Sequence, residues 1–318
     1  MRYYDHLDQI TEPFKNAVLT IGNFDGVHIG HQALFYEVIE KAYTLDGTSI
    51  AMTFDPHPLR LLRKNNRPPL ITLLEQKVEL IERSGIEVLI CVPFTHAFAA
   101  VPAEAFVEEV LVRKIGMKAI VVGEDYTFGR NRQGNIGLLQ SLAPRLGYEV
   151  LVTRMVRTER GVSERISSTA IRNLVREGKV EHACRMLGRR VQVRGTVVPG
   201  RDRGGRLLGV PTANLAPEDE LIPKSGIYAV IVQVRGAMHV GVANIGYSPT
   251  FDDHQFTVEV HILDFSESIY GEKIRVNFVR RLREEMRFEG IEALRRQIET
   301  DIDAARRILS TGNAAVAC

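Results

Sequence analysis

Ten consecutive residues carry the densest chemistry in this chain: Gly22-Asn23-Phe24-Asp25-Gly26-Val27-His28-Ile29-Gly30-His31. His28 and His31 stand three apart, so in a first helical turn their imidazoles face one way. Gly22 and Gly26 permit a tight turn with close backbone approach. Backbone N–H groups at a helix start attract phosphate. Two imidazoles beside such a site suit charge developing on a phosphoryl group. The plainer reading is a glycine turn with two solvated histidines, and the pairing weakens it.

Three further segments offer related chemistry. Asp55-Pro56-His57-Pro58 is stiffened by its prolines. Asp125, with Tyr126 and Phe128, sets a carboxylate beside aromatic faces, which suits a planar heterocycle; an aromatic packing cluster is the alternative. Ser167-Ser168-Thr169 reads as an N-cap series before a helix over 170–177 that Gly178 ends. Three hydroxyls with Arg172 on the first turn exceed what a cap needs and resemble a phosphate clamp.

The elements that must position these groups alternate. The apolar run Ala17–Ile21 reads as a buried strand, and Leu34, Val38, Ala42 and Leu45 keep helical spacing behind it. Strands follow over 49–54, 86–92, 118–122 and 149–153. Helices are expected over 72–84, with Thr72 and Glu75 as a capping box, over 102–115 and over 136–146. This βαβα order implies a parallel sheet covered on both faces, with ligands outside the carboxyl ends of its strands. All four segments fall at such ends, as the rim of one pocket.

Near residue 185 the rhythm changes, and we expect two domains, 1–185 and 186–318. Strands over 191–198, 227–235, 238–245, 256–265 and 273–279 are punctuated by Gly and Pro, the pattern of a small antiparallel barrel. A terminal helix presents Ile291, Leu294, Ile298, Ile302, Ala305 and Ile308, and the residues from Gly312 read as a loose tail. In an extended Pro211-Thr212-Ala213-Asn214, Thr212 and Asn214 share a face. Their oxygens suit Mg²⁺ held jointly with ATP phosphates. A basic, glycine-rich loop, 200–209, precedes them and includes Arg206 and Gly209; it could cover phosphates. Glu259 and His261 lie on one face of a strand whose other face is Val258, Val260 and Ile262. Glu259 is a candidate general base if it faces a cleft, and a solvated strand residue otherwise.

The 318 residues carry 45% hydrophobic and 25% charged residues and a net charge of +2, so nothing demands a nucleic-acid or membrane partner. The three cysteines, odd in number and far apart, suggest neither a disulfide framework nor a metal cluster, and Cys91 reads as a small buried hydrophobe. The sequence shows no signal peptide, long apolar span or P-loop motif, so we expect a cytoplasmic protein.

His28-Ile29-Gly30-His31 resembles the HxGH signature of the nucleotidyltransferase superfamily, and Gly22–His31 as a whole resembles its form in prokaryotic FAD synthetases. Thr53-Phe54-Asp55-Pro56-His57-Pro58, the 123–129 stretch with Arg130 beside it, and the 167–172 stretch resemble further motifs of those enzymes, in the same order. In the second half, Gly209-Val210-Pro211-Thr212-Ala213-Asn214, Gly226-Ile227-Tyr228, Asn244-Ile245-Gly246, Glu259-Val260-His261-Ile262-Leu263-Asp264-Phe265, Tyr270-Gly271 and Leu282-Arg283 resemble the riboflavin kinase domain. The likeness to bifunctional riboflavin kinase/FAD synthetases (FMN adenylyltransferases) covers nearly the whole chain.

The resemblance implies a Rossmann-like nucleotidyltransferase domain followed by a six-stranded barrel. It implies ATP, riboflavin and FMN as ligands, Thr212 and Asn214 near Mg²⁺, and Glu259 as base. It also implies substrate contacts at Gly22, Phe24, Asp25, Gly26, Gly30, Pro56, His57, Asp125, Phe128, Arg130, Ser167, Ser168, Thr169, Arg172, Arg206, Gly209 and Arg283. Val210 stands where the family usually has Phe, and the 200–209 loop is one residue longer than usual. A different HxGH nucleotidyltransferase, of the pantetheine-phosphate type, leaves the barrel half unexplained. A flavin- or nucleic-acid-binding module without catalysis leaves His28, His31, Thr212, Asn214 and Glu259 unexplained. Homo-oligomerisation is left open.

Overall fold

The structure, a computed structural model, describes residues 1–62, 67–154, 156, 165–200, 210–218, 220–247 and 256–310. The 200–209 loop from Arg201 on, with Arg206 and Gly209, and the tail from 311 lie outside them. The chain divides into two compact units, Met1–Ser168 and Thr169–Cys318.

The first unit is built on β1 (Arg2–Tyr4), β2 (Ala17–Ile21), β3 (Ser49–Asp55), β4 (Val88–Pro93), β5 (Met117–Gly123) and β8 (Glu149–Thr153), with a small hairpin of β6 (Thr127–Phe128) and β7 (Gly134–Asn135). The sheet is parallel, in the order β1-β4-β3-β2-β5-β8. Every residue of β2 is buried, as its unbroken apolar run requires at the sheet's centre. Helices α1 (Ile29–Thr44), α2 (Leu74–Arg83) and α3 (Ile136–Leu146) connect the strands. From β2 the chain winds one way, to β3 and β4, and later the other, to β5 and β8. The order therefore reverses between β2 and β5, which opens a crevice at their carboxyl ends.

The second unit opens with α4 (Ser168–Arg176), whose first residue closes the first unit, and α5 (Val180–Leu187). A closed antiparallel barrel follows: β9 (Val191–Val198), β10 (Ala213–Pro217), β11 (Gly226–Val234), β12 (Ala237–Tyr247), β13 (Phe256–Ile262) and β14 (Lys273–Arg283). Val193, Tyr228, Val258, Val260 and Phe278 are among its buried side chains. Helix α6 (Ile291–Ser310) packs on β11 and β12.

Several local expectations fail for identifiable reasons. Strand β1 is too short to announce itself and adds a sixth strand to the sheet. Thr72 does not cap α2, which starts at Leu74; its hydroxyl accepts from Gly26 N at 3.0 Å instead. The 102–115 helix is π-helical over Phe106–Lys114. Ile291 is 55% exposed although the spacing of α6 assigns it to the buried stripe. Cys91 is free and buried, as its place in an apolar run leads one to expect. Among the described residues no helix is long and apolar enough to cross a membrane.

Candidate active sites in the two units

The turn after β2 lies at the sheet's switch point. It is held by backbone conformations that few residues adopt freely: φ is +46° at Phe24, +89° at Gly26 and +39° at Val27. Gly22 is required because a Cβ there would fall 2.8 Å from the Phe24 ring. The ring of Phe24 is buried edge-on against Phe35 and His31, with centroids 4.9 and 5.3 Å away.

Asp25 secures this turn from below. Its buried carboxylate accepts from Ile71 N at 3.0 Å and from Thr72 N at 3.1 Å. Its carbonyl accepts from Ser168 Oγ at 2.8 Å. Asp25 therefore stitches the turn to two distant segments. Ser168 spends its hydroxyl on that stitch rather than on a helix cap. Lys77, which reads in the sequence as an ordinary helix lysine, is 4% exposed; burial lowers its ammonium pKa and the Asp25 charge opposes the shift. Nothing in the local sequence signals that burial.

His28 caps α1, its Nδ1 accepting from His31 N at 3.3 Å. In the neutral ring the proton then sits on Nε2. The two imidazoles stack, centroids 3.6 Å apart and 15° from parallel. Gly30 leaves room for this, since a Cβ there would meet His28 Nδ1 at 3.2 Å. The result is a pair of stacked rings over the N-terminus of a 16-residue helix, where orphan N–H groups and the helix dipole favour an anion.

The neighbouring strand ends supply the other first-unit candidates. Asp55 and Pro56 are exposed after β3, and His57 is buried with Nδ1 accepting from Leu59 N at 3.2 Å. After β5, Asp125 pairs with Arg165. Tyr126 stacks on Phe128, centroids 5.5 Å apart, while Phe128 is itself buried against Phe106. Phe128 thus takes the packing role weighed for it, and Tyr126 covers it. Arg130 is exposed and Ser167 is half-buried, whereas Thr169 and Arg172 lie on α4 within the second unit.

In the barrel, register assembles the site. Asn214 pairs with Glu259, and Glu259 pairs with Asn244. Directly paired residues project to one side, so these three form a row across β10, β13 and β12, one strand spacing of about 4.8 Å apart. The intervening Val258, Val260, Ala243 and Ile245 fill the interior, so the row faces outward. Burial raises the Glu259 carboxyl above its ordinary value. Among the described residues the buried Oδ1 of Asn244 has no hydrogen-bond partner. A Cβ at Gly200 would fall 2.0 Å from Asn214 Nδ2, so the chain passes tightly over that amide. Thr212, two residues before Asn214, is half-buried.

Arg283 is placed otherwise. Its guanidinium forks onto the buried Asp301 of α6 at 2.7–3.1 Å and donates to Glu284 O, so it ties β14 to the terminal helix. Two open clefts, of about 550 Å³ at Met1, Arg2 and Glu82 and about 480 Å³ at Lys179, His182 and Arg281, include Arg283 alone of the candidates.

The FAD synthetase family matches residues 10–170 and the riboflavin kinase family residues 187–309. The chain belongs to the bifunctional riboflavin kinase/FMN adenylyltransferase family. Relatives of that description are 39% identical in Listeria monocytogenes (90% of each chain), 37% in Escherichia coli (92% of this chain, 93% of the relative) and 35% in Haemophilus influenzae (93% and 96%). A crystal structure described as a macrolide-efflux protein from Streptococcus pneumoniae superposes with a TM-score of 0.85 at 31% identity, covering 96% of this chain and 98% of that one. The order of the two matches is that of the sheet and the barrel. FMN adenylylation therefore belongs to the first unit and riboflavin phosphorylation to the barrel.

Proposed function

We propose that the two activities divide by the state of their nucleophiles. Both draw on ATP with a divalent metal, which we take to be Mg²⁺. In the barrel the nucleophile is a neutral ribityl hydroxyl, whose proton must be removed as it attacks. Glu259 is the base. An ordinary exposed carboxylate is a weak one near pH 7, and burial brings Glu259 closer to the working range. Asn214, its register neighbour, and Thr212 offer the oxygens that would hold Mg²⁺. Bound there, the metal supplies charge stabilisation for the transferring phosphoryl group.

In the first unit the nucleophile is the FMN phosphate, already anionic at neutral pH. It needs no base; it needs donors fixed where charge grows on the ATP α-phosphate. The stacked His28 and His31 and the α1 N-terminus supply them. Asp25 acts one step back, holding the turn that carries both rings. A phosphate-binding role for Ser167, Thr169 and Arg172, and substrate contacts at Pro56, His57, Asp125 and Arg130, rest on the sequence resemblance. So do a functional boundary near residue 185 and a cytoplasmic location.

The observation that carries this reading is the Asn214–Glu259–Asn244 row, because it puts a burial-tuned carboxylate beside a metal-suited oxygen. The test is turnover of riboflavin with ATP and Mg²⁺, products separated by chromatography. FMN should appear first and FAD after it. A chain that binds flavin and makes neither is a binding module, and the reading fails.

A further inference from the structure

We propose that His261 is a positioning residue that holds the metal-binding segment in place. This rests on the reading of Thr212 and Asn214 given above. The β10–β13 ladder ends at the Ala213–Val260 pair. One step further, Thr212 would face His261, and Pro211 beyond it has no N–H to continue a ladder. The segment bearing Thr212 therefore leaves the barrel where backbone bonding stops. At that point the His261 ring takes over: its Nδ1 lies 2.7 Å from Pro211 O.

A carbonyl can only accept, so Nδ1 must carry the proton. The backbone of His261 is meanwhile committed to β12, paired with Val242. His261 stands two residues from Glu259 on the same strand face. One rigid strand thus presents the base and, through an imidazole, fixes the carbonyl next to Thr212. With Pro211 held, Thr212 stays extended, and its hydroxyl shares a face with the Asn214 amide. Without that bond nothing described in the structure ties Pro211 to β13.

The test uses the full chain with two substitutions. His261→Asn keeps a donor, because an Asn Nδ2 reaches roughly where Nδ1 sits; His261→Leu removes it. We expect His261→Leu to raise the Mg²⁺ concentration for half-maximal riboflavin phosphorylation about three- to tenfold, the scale of one lost neutral hydrogen bond. Its rate at saturating Mg²⁺ should change little. His261→Asn should restore the Mg²⁺ dependence to within about twofold, on the same scale. FAD formation from supplied FMN, which belongs to the other unit, should be untouched in both, and the near-wild-type phosphorylation rate at saturating Mg²⁺ certifies that the barrel is folded. Independently of activity, long-range ¹⁵N–¹H NMR of the wild-type ring should show the Nδ1–H tautomer. The proposal is overturned if the Leu and Asn variants behave alike, if His261→Leu lowers the saturated rate without moving the Mg²⁺ midpoint, or if the ring carries its proton on Nε2 alone. Thr212→Ala separates the two layers. If it fails to shift the midpoint, the metal-segment reading falls and takes this one with it. If it shifts while His261→Leu does not, only the role of His261 falls.

Discussion

The sheet unit and the barrel unit build their sites in opposite ways. In the sheet unit the proposed working residues are neighbours in sequence, and distant segments hold them: Asp25 reaches Ile71 and Thr72, and Ser168 reaches Asp25. In the barrel the proposed working residues are distant in sequence, and register makes them neighbours. The difference follows from what each nucleophile lacks. On the proposed reading an anionic phosphate lacks only fixed donors, and a helix N-terminus with one capping histidine and a second stacked on it is a local device for fixing them. A neutral hydroxyl lacks a base, and a carboxylate becomes a useful one when a packed surface partly desolvates it.

The largest effect that would sharpen this contrast comes from His28→Ala with His31→Ala. FAD formation from FMN should fall at least about 10²–10³-fold, the scale of losing one preorganised donor. Riboflavin phosphorylation should stay near wild type; its parallel loss in a folded protein would break the contrast.

A smaller effect tests the distant clamp. Asp25→Ala leaves two buried backbone N–H groups without their acceptor, at about 1–3 kcal/mol each. Calorimetry should show the sheet unit melting about 4–24 °C lower, at about 2–4 °C per kcal/mol for a unit of this size. An unchanged transition would mean that the turn holds itself.

The smallest effect asks whether burial alone makes a carboxylate functional. Glu220 in the barrel is also raised by burial, to about 8, but one oxygen accepts from Arg194 N at 2.6 Å. The unfolded chain ionises it near the ordinary carboxylate value, so its proton favours the fold at low pH. That contribution is full below about pH 4.3 and is lost as pH rises towards 8. Glu220→Gln should match wild type near pH 5 and melt a few degrees higher near pH 8, with kinase turnover unchanged. A stability difference independent of pH would place the origin elsewhere.

This contrast also explains what the sequence made legible. Helix Ile136–Leu146 and strands Glu149–Thr153 and Val191–Val198 have the bounds that their apolar spacing and glycine stops predict. The histidine turn was readable because its parts are contiguous. Thr72 was misread because its true partners are Gly26 and Asp25, far away in sequence, and a capping-box pattern carries no sign of them. Lys77 goes unsignalled, and Asn244, quoted only within a stretch that resembles a riboflavin kinase, gets no role, for the same reason: a lysine on a helix and an asparagine on a strand acquire meaning only from burial and register. Strand β10 ends in Pro217, and its five residues carry no strand-like alternation.

The central claim, a base in the barrel and none in the sheet unit, is met most directly by single-turnover kinetics of Glu259→Gln, which keeps size and reach but removes basicity. FMN formation should slow about 10²–10⁴-fold, while FAD formation from supplied FMN in the same preparation proceeds at the wild-type rate. FMN formation within about threefold of wild type, far short of that expected loss, would contradict the account and leave Glu259 a half-buried strand residue.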